Sequence, residues 1–506
     1  MNRETVTPAA APHRRRSGIL LHPTSLPGPY GIGDLGPAAE AFLRWAAEAG
    51  QRLWQVLPLR PTGYGDSPYG TLSSFAGNPL LISPDGLAAD GLATPEDLGR
   101  LPHDAGSRVD FEPVRRGKEA LLRSAFERFT REAPAELGRA FEAFAAEAAS
   151  WLADWTLFAA LKEKLSGAPW TAWPAELARR EPRALEAARA ELASEIAFHR
   201  FVQFLFFRQW DRLRKLASEL DVEVIGDLPI YIALDSADAW ARPDLLELDG
   251  EARPVAVSGV PPDAFSQDGQ LWGSPLYRWE RHAEEGFAWW TERLRAGLRI
   301  ADVVRLDHFR GFEAYWRVPA GEKTAAKGSW VPGPGPALFD ALRSALGELP
   351  VVAEDLGFIT PGVHALLEAT GLPRMKVLQF AFTEPDSDHL PHHHLPNAVV
   401  YTGTHDNDTA RGWFDHAGVE ERQRALDYLG EPDGSAIAWA LIRAAYTSVA
   451  ERAVVPLPDV LGLGSEARMN TPGRAGGNWA WRVREEQVRS DVAARLRRVA
   501  EVAGRG

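Results

Sequence analysis

The 506-residue chain has no cysteine at all. That absence excludes disulfides, thiolate nucleophiles and cysteine-ligated metals, and it fits a reducing cytoplasm. Long apolar runs are missing too. None approaches the roughly 20 residues that a membrane helix needs, so no membrane partner is expected. Basic residues are outnumbered, 56 Lys and Arg against 69 Asp and Glu, for a net charge of −13. Phosphate binding requires a clustered basic surface, so nucleic acid and anionic lipid are disfavoured as partners. Only 7 of the 56 basic residues are lysines, a feature of genome composition rather than of function. The first eighteen residues carry a basic cluster without an apolar segment, and residues 1–16 read as a loose tail, not a signal peptide. Tryptophan, by contrast, is abundant: 18 copies. Its ring stacks on sugars and bases, although core packing is the default for any one of them.

Eight short apolar runs end in polar clusters: Gly18–His22, Leu53–Leu59, Val222–Asp227, Val303–Asp307, Val351–Asp355, Val377–Phe382, Val399–Tyr401 and Val454–Leu461. Helical patterns follow most of them, as at Ala38–Ala49, Pro336–Leu346, Val363–Thr370, Glu420–Leu429 and Glu485–Ala503. Eight strand-then-helix units predict an α/β fold, a (β/α)8 barrel with its site where strands end. The expected barrel occupies 17–60 and 218–506. Residues 61–217 form a mostly helical insertion after the second strand, with His199 as a packed core histidine. A second insertion, 229–301, carries a Gly-, Pro- and Ser-rich loop at 258–277, and loops of this length are usually functional. About 45 residues follow the eighth strand, too few for a C-terminal β-sandwich. The histidines of "HLPHHHLPN" (His389–Asn397) sit side by side in a Pro-flanked segment, which favours a solvated loop over a zinc site.

Ionisable groups crowd three strand ends, in "VRLDHFR" (Val304–Arg310), "AEDL" (Ala353–Leu356) and "VYTGTHDNDT" (Val400–Thr409). Alternation puts Arg305 and Asp307 on one face, with Leu306 on the other. A cation two residues away holds an aspartate ionised, which suits a nucleophile. A second carboxyl in a drier place suits a general acid. Composition leaves open whether Glu354 or Asp355, and Asp406 or Asp408, take part.

The stretches "GYGDSPYGTLSSFAGNP" (Gly63–Pro79), "GDLPIYIALDSADAW" (Gly226–Trp240), "GVPPDAFSQDGQLWGSPLY" (Gly259–Tyr277), "RLDHFRGFEAYW" (Arg305–Trp316), "AEDLG" (Ala353–Gly357), "GTHDNDT" (Gly403–Thr409) and "LGLGSEARMNTPG" (Leu461–Gly473) occur in order. Together they resemble the amylomaltase family, the bacterial 4-α-glucanotransferases of the α-amylase clan, from about residue 17 to the C-terminus. The resemblance implies an enzyme without metal or cofactor. It would move part of an α-1,4-glucan (maltooligosaccharide, amylose or starch) onto glucose or a maltooligosaccharide. It also implies roles. Asp307 would be the nucleophile, Glu354 the acid/base, and Asp406 the grip on two sugar hydroxyls. Arg305, His308 and His405 would line the donor pocket, Asp227 would bond sugar or orient its neighbours, and Ser67 and Tyr69 would touch donor sugars. Asp263, Gln270 and Trp272 would cover the bound chain. Three positions depart from the family's pattern: Pro458-Asp459 replaces Gln-Asp, Thr383 precedes Glu384, and Phe111 replaces Tyr.

Other classes remain open beside this one. Water in place of the acceptor would give an α-glucan hydrolase on the same barrel. A catalytically dead starch-binding protein would lack one of the three carboxylates. A metal hydrolase would need paired histidines at strand ends. Trp272 as a mere loop anchor, Tyr69 as packing, and Tyr64 with Phe111 as a secondary glucan site are further alternatives.

Overall fold

The computed structural model describes residues 15–103, 106–262, 267–474 and 476–506. Among the described residues, twelve strands form two sheets. Eight make one parallel sheet: β1 (Arg16–Leu20), β2 (Leu53–Gln55), β3 (Glu223–Leu228), β6 (Val303–Leu306), β9 (Val351–Ala353), β10 (Arg374–Val377), β11 (Ala398–Tyr401) and β12 (Arg452–Pro456). Their order, β10-β11-β12-β1-β2-β3-β6-β9, follows the chain around a barrel. Helices such as Pro37–Glu48, Pro336–Leu346 and Pro361–Thr370 return the chain between parallel neighbours, as such connections require. The expected (β/α)8 barrel is therefore present.

The barrel's seam lies between β9 and β10, which share no regular ladder. The Ala353 N–H donates to Pro373 O across 2.9 Å. One residue pair on, the Met375 N–H donates to Asp355 Oδ1 across 2.8 Å. A side chain thus replaces a missing strand partner and satisfies a buried backbone donor.

Strand alternation sorts the core into two parts. Ile225, Val303, Val352, Met375, Val399, Tyr401 and Val454 fill the lumen. Val224, Val304, Val351, Ala353, Val400 and Val455 face outward against the helices. Branched residues on both faces are what a fully covered parallel sheet demands. Tyr401 closes the lumen floor by donating to Gln55 Oε1 across 2.8 Å.

Four expectations need correction. The sixth strand is Arg374–Val377, and Leu378–Phe380, read as part of it, is a 3-10 turn. The segment expected as a loop at 258–277 is built on a hairpin. There β4 (Ala256–Val260) pairs antiparallel with β5 (Gln270–Pro275), and β7 (Ala314–Pro319) and β8 (Ser329–Pro332) complete a four-stranded sheet. Its Gly and Pro content hid the strands, because the pairing is set by distant partners such as Trp316 opposite Gly259. His199 is half-buried, not core, with Nε2 3.3 Å from Glu163 Oε1. Arg15 and Arg16, assigned to the loose tail, are both engaged: Arg15 donates to Ala503 O and Tyr446 O, and Arg16 opens β1. Between β2 and β3 lie helices Phe111–Glu132, Ala135–Glu147, Ala149–Lys164 and Ala193–Glu219, locked by rings including Phe129, Phe201 and Phe204. Among the described residues no helix is long and apolar enough to cross a membrane.

Candidate active site

Lumen parity carries polar side chains to the C-terminal rim of the barrel. Asp227 follows Ile225 at two residues, Arg305 and Asp307 follow Val303, and Glu354 follows Val352. Arg305 Nη1 lies 2.9 and 2.7 Å from the two oxygens of Asp227 and 3.0 Å from Asp307 Oδ1. The Tyr69 hydroxyl donates to Asp227 Oδ2 across 2.9 Å. Burial pushes the Asp227 carboxyl upward and Arg305 opposes the shift. Asp307 keeps a quarter of its side chain exposed, 27%. It is the open member of the trio.

Glu354 is held differently. Its Oε2 accepts the His308 N–H at 2.6 Å and its Oε1 the Leu356 N–H at 2.9 Å. Burial drives its pKa from 4.5 to about 8; Arg305 and the two amides oppose the rise, and Asp307 adds to it. His308 takes a left-handed backbone, φ 51°, which is uncommon outside glycine and turns its N–H toward Glu354. Its buried imidazole is pushed down to about 4. Trp272 meets that ring edge-on at 4.7 Å and donates its indole N–H to Gln270 Oε1 across 3.2 Å. Both Gln270 and Trp272 are exposed on β5. Asp263 lies outside the described residues.

The stretch after β11 divides its labour. Asn407 Oδ1 accepts the N–H and hydroxyl of Thr404, each at 2.9 Å, tightening the turn. Asp408 accepts Ser465 Oγ at 2.7 Å and the Thr409 N–H at 2.8 Å, and Thr409 caps helix Ala410–His416. Gly403 allows Gln379 to reach Asp408 O at 2.8 Å, since a Cβ there would sit 2.5 Å from the Gln379 amide nitrogen. Asn407 to Thr409 build the turn; His405 and Asp406 are left for the rim. Asp406, with 45% of its side chain exposed, is 3.3 Å from His405 Nε2. Asn470 Nδ2 donates to its Oδ1 across 2.6 Å, and Arg468 Nη2 to its carbonyl across 2.6 Å. His405 stacks on Tyr69 at 5.0 Å and 13°, and Trp479 leans on both.

The sequence profile of the 4-alpha-glucanotransferase family matches residues 21–488. The chain belongs to that family. The 4-alpha-glucanotransferase of Thermus thermophilus is 50% identical, over 97% of this chain and 99% of that protein. The plastid enzyme of Arabidopsis thaliana is 44% identical, over 93% and 82% respectively. The amylomaltase of Streptococcus agalactiae, solved in complex with acarbose, superposes with a TM-score of 0.94 at 38% identity, covering 97% of this chain and 100% of that one.

The three positions expected to depart from the family's pattern make contacts with residues other than the three carboxylates. Asp459, next to Pro458, accepts Thr402 Oγ1 at 2.6 Å and the Ala410 N–H at 2.7 Å, bracing the loop that presents Asp406. Thr383 is exposed, and its hydroxyl donates to Phe380 O across 3.0 Å. Phe111 is half-buried against the lumen cluster, and Tyr64 is 93% exposed. Ser67 Oγ accepts the Tyr69 N–H at 3.2 Å, fixing the tyrosine. Asp355 faces the barrel seam, away from the Glu354 side. The four histidines of His389–Asn397 each have separate partners: the Val377 N–H, Tyr428 OH, Ser387 O and Ser448 Oγ. Asn470, Arg468, Trp479 and Gln55 carried no individual signal in the sequence. Asn470 and Arg468 lie in the motif Leu461–Gly473, yet only folding brings them to Asp406.

Proposed function

We propose that the chain is a 4-α-glucanotransferase working by retaining double displacement, with Asp307 as nucleophile and Glu354 as acid and base. One contrast carries the reading. Asp307 is partly open and paired with Arg305, whereas Glu354 is buried with a pKa pushed to about 8. A nucleophile held by a cation beside a carboxyl that keeps its proton at pH 7 is what this chemistry needs. An Asp307 oxygen attacks the anomeric carbon of a donor glucosyl unit as the Glu354 proton passes to the departing glycosidic oxygen. The product is a glucosyl ester on Asp307. The 4-hydroxyl of glucose or of a maltooligosaccharide then attacks the same carbon. Glu354 takes its proton, the ester bond breaks, and the net configuration is retained.

Asp406 supports the transition state by accepting hydroxyls of the sugar bound at Asp307, with Asn470 holding Oδ1 in place. His405, stacked on Tyr69, sets one wall, and Asp227 keeps Arg305 aimed at Asp307. Trp272 and Gln270 cover the leaving-group side, next to the His308–Glu354 contact. No metal or cofactor enters these steps, and a cysteine-free chain suits the cytoplasm. Asp307→Asn keeps shape and removes charge, so transfer on maltotriose is expected to fall by at least about a thousandfold with glucan binding retained. Activity near wild type would remove Asp307 from the role.

A further inference from the structure

The proposed steps leave Arg310 unused, although it lies three residues past the nucleophile. It is buried, with 5% of its surface exposed, yet among the described residues it makes no ion pair. Buried charges are normally paired, so this guanidinium needs another account. A carbonyl and two rings hold it. Nη1 donates to Phe358 O, and the guanidinium carbon lies 3.6 Å from the ring centroid of Trp330 and 5.6 Å from that of Phe358. A planar fork can donate and lie flat on a ring at once, which an ammonium cannot.

Three elements that carry the proposed chemistry meet at this side chain. The first is its own 3-10 turn, Phe309–Phe312. His308, just before it, takes φ 51° and donates its N–H to Glu354 Oε2 at 2.6 Å, while the Phe309 N–H donates to Glu354 O at 3.0 Å. A left-handed residue other than glycine persists only where its surroundings hold it. The second is the segment behind Glu354. Gly357 and Phe358 are exposed, and among the described residues 357–359 make no hydrogen bond other than the one from Arg310. The third is the small sheet. Trp330 on β8 stands opposite Trp316 on β7, Trp316 opposite Gly259 on β4, and Gly259 opposite Leu271 on β5. Trp316 meets Trp330 at 5.1 Å, and the row ends beside Trp272.

We infer that Arg310 is a positioning residue for the acid and base Glu354: it ties the segment behind Glu354 to the turn that supplies the His308 amide, and braces both on the small sheet through Trp330. The inference rests on the assignment of Glu354 above. Its consequence is electrostatic as well as geometric. Burial is what raises the Glu354 pKa, so a loosened segment that admits water should lower it. Arg305, Asp307 and His308, the neighbours of Glu354, are untouched by a change at Arg310.

Arg310→Lys tests this, because it keeps the charge and loses the fork. On maltotriose kcat should fall roughly tenfold or more with KM altered by less than about twofold, the pattern of a misplaced catalytic group. The alkaline limb of the kcat/KM profile should move down by about half a pH unit or more. Ester formation on Asp307 from a glucosyl fluoride, which needs little proton assistance, should stay near the wild-type rate. Trp330→Leu leaves the bond to Phe358 O and removes the platform, so a smaller loss of the same pattern is expected; it decides the matter if the lysine variant does not fold, which urea unfolding reports. Equal losses on both donors, or an alkaline limb unmoved in the folded variants, would overturn the role. If that limb is present in the wild type on maltotriose alone, such a failure removes Arg310 and leaves Glu354 in place. Identical wild-type profiles on the two donors would remove Glu354 as the acid and this inference with it.

Discussion

Arg305 reaches both oxygens of Asp227, at 2.9 and 2.7 Å, and both side chains are buried, at 4% and 0% exposure. The same Nη1 touches Asp307 at 3.0 Å. Asp227 therefore anchors the cation that also touches Asp307, the proposed nucleophile. Asp227→Ala leaves a buried guanidinium with a single anionic partner, and breaking a buried pair costs about 3–5 kcal/mol. Urea unfolding should register a loss of that order, and kcat should fall far more than KM changes. Unaltered kcat would mean that Arg305 needs no anchor.

Glu354 should set the alkaline limit of the reaction. Its proton is present below about pH 8 and lost above it. For maltotriose, kcat/KM should decline above that pH, approaching about tenfold for each further pH unit. A glucosyl fluoride needs little proton assistance on departure, so formation of the Asp307 ester from it should lose this limb and should survive Glu354→Gln. The check is a pH profile on both donors with the ester detected by mass spectrometry. Identical profiles would displace Glu354 as the acid.

The same raised pKa has a thermodynamic sign. Below 4.5 the carboxyl is protonated in folded and unfolded chains alike, and nothing is lost. Between 4.5 and about 8 the folded state holds a proton that the unfolded state releases, so the stability due to this group falls as pH rises and is gone above about 8. Glu354→Gln has no such dependence. Its stability relative to wild type should grow between pH 5 and pH 8.5 by on the order of a few kcal/mol, because each tenfold change in proton affinity is worth about 1.4 kcal/mol. Urea midpoints at the two pH values measure it. A constant difference would contradict the burial argument.

Trp272 bears on the contest between acceptor and water. Its indole N–H is held by Gln270 and its ring meets His308 edge-on, and the proposed role is to cover the glucosyl ester. Trp272→Ala should weaken glucan binding and raise the ratio of hydrolysis to transfer roughly tenfold, equivalent to about 1.4 kcal/mol. Net reducing ends per glucose released from maltotriose report that ratio. Weaker binding at a constant ratio would make Trp272 a simple grip.

Much of this site could be read from period-two alternation alone. Val303, Arg305 and Asp307 share one face, and the same count from Val352 reaches Glu354 and sends Asp355 outward. That count, extended to β9, would have separated the two acids without help from any relative. What alternation could not supply were contacts made by distant chain: Asn470 on Asp406, Trp479 on Tyr69, and the hairpin under Trp272. The sixth strand slipped for a local reason. Leu378–Phe380 stays apolar beyond the strand because Leu378 and Gln379 remain buried in a 3-10 turn, and apolarity alone does not distinguish turn from strand.

The seam at Asp355 gives the barrel a hinge-like lip. Seven of the eight neighbour contacts are continuous ladders, but β9 meets β10 through one backbone bond and one carboxylate. Local opening in folded proteins starts where cooperative hydrogen bonding is thinnest. Here that place is one residue from Glu354. Amide exchange at Met375 should accordingly be faster than at Val399 or Ala453 in the unbroken strands. Glucan held by Glu354 as proposed would slow it by acting as the missing stitch.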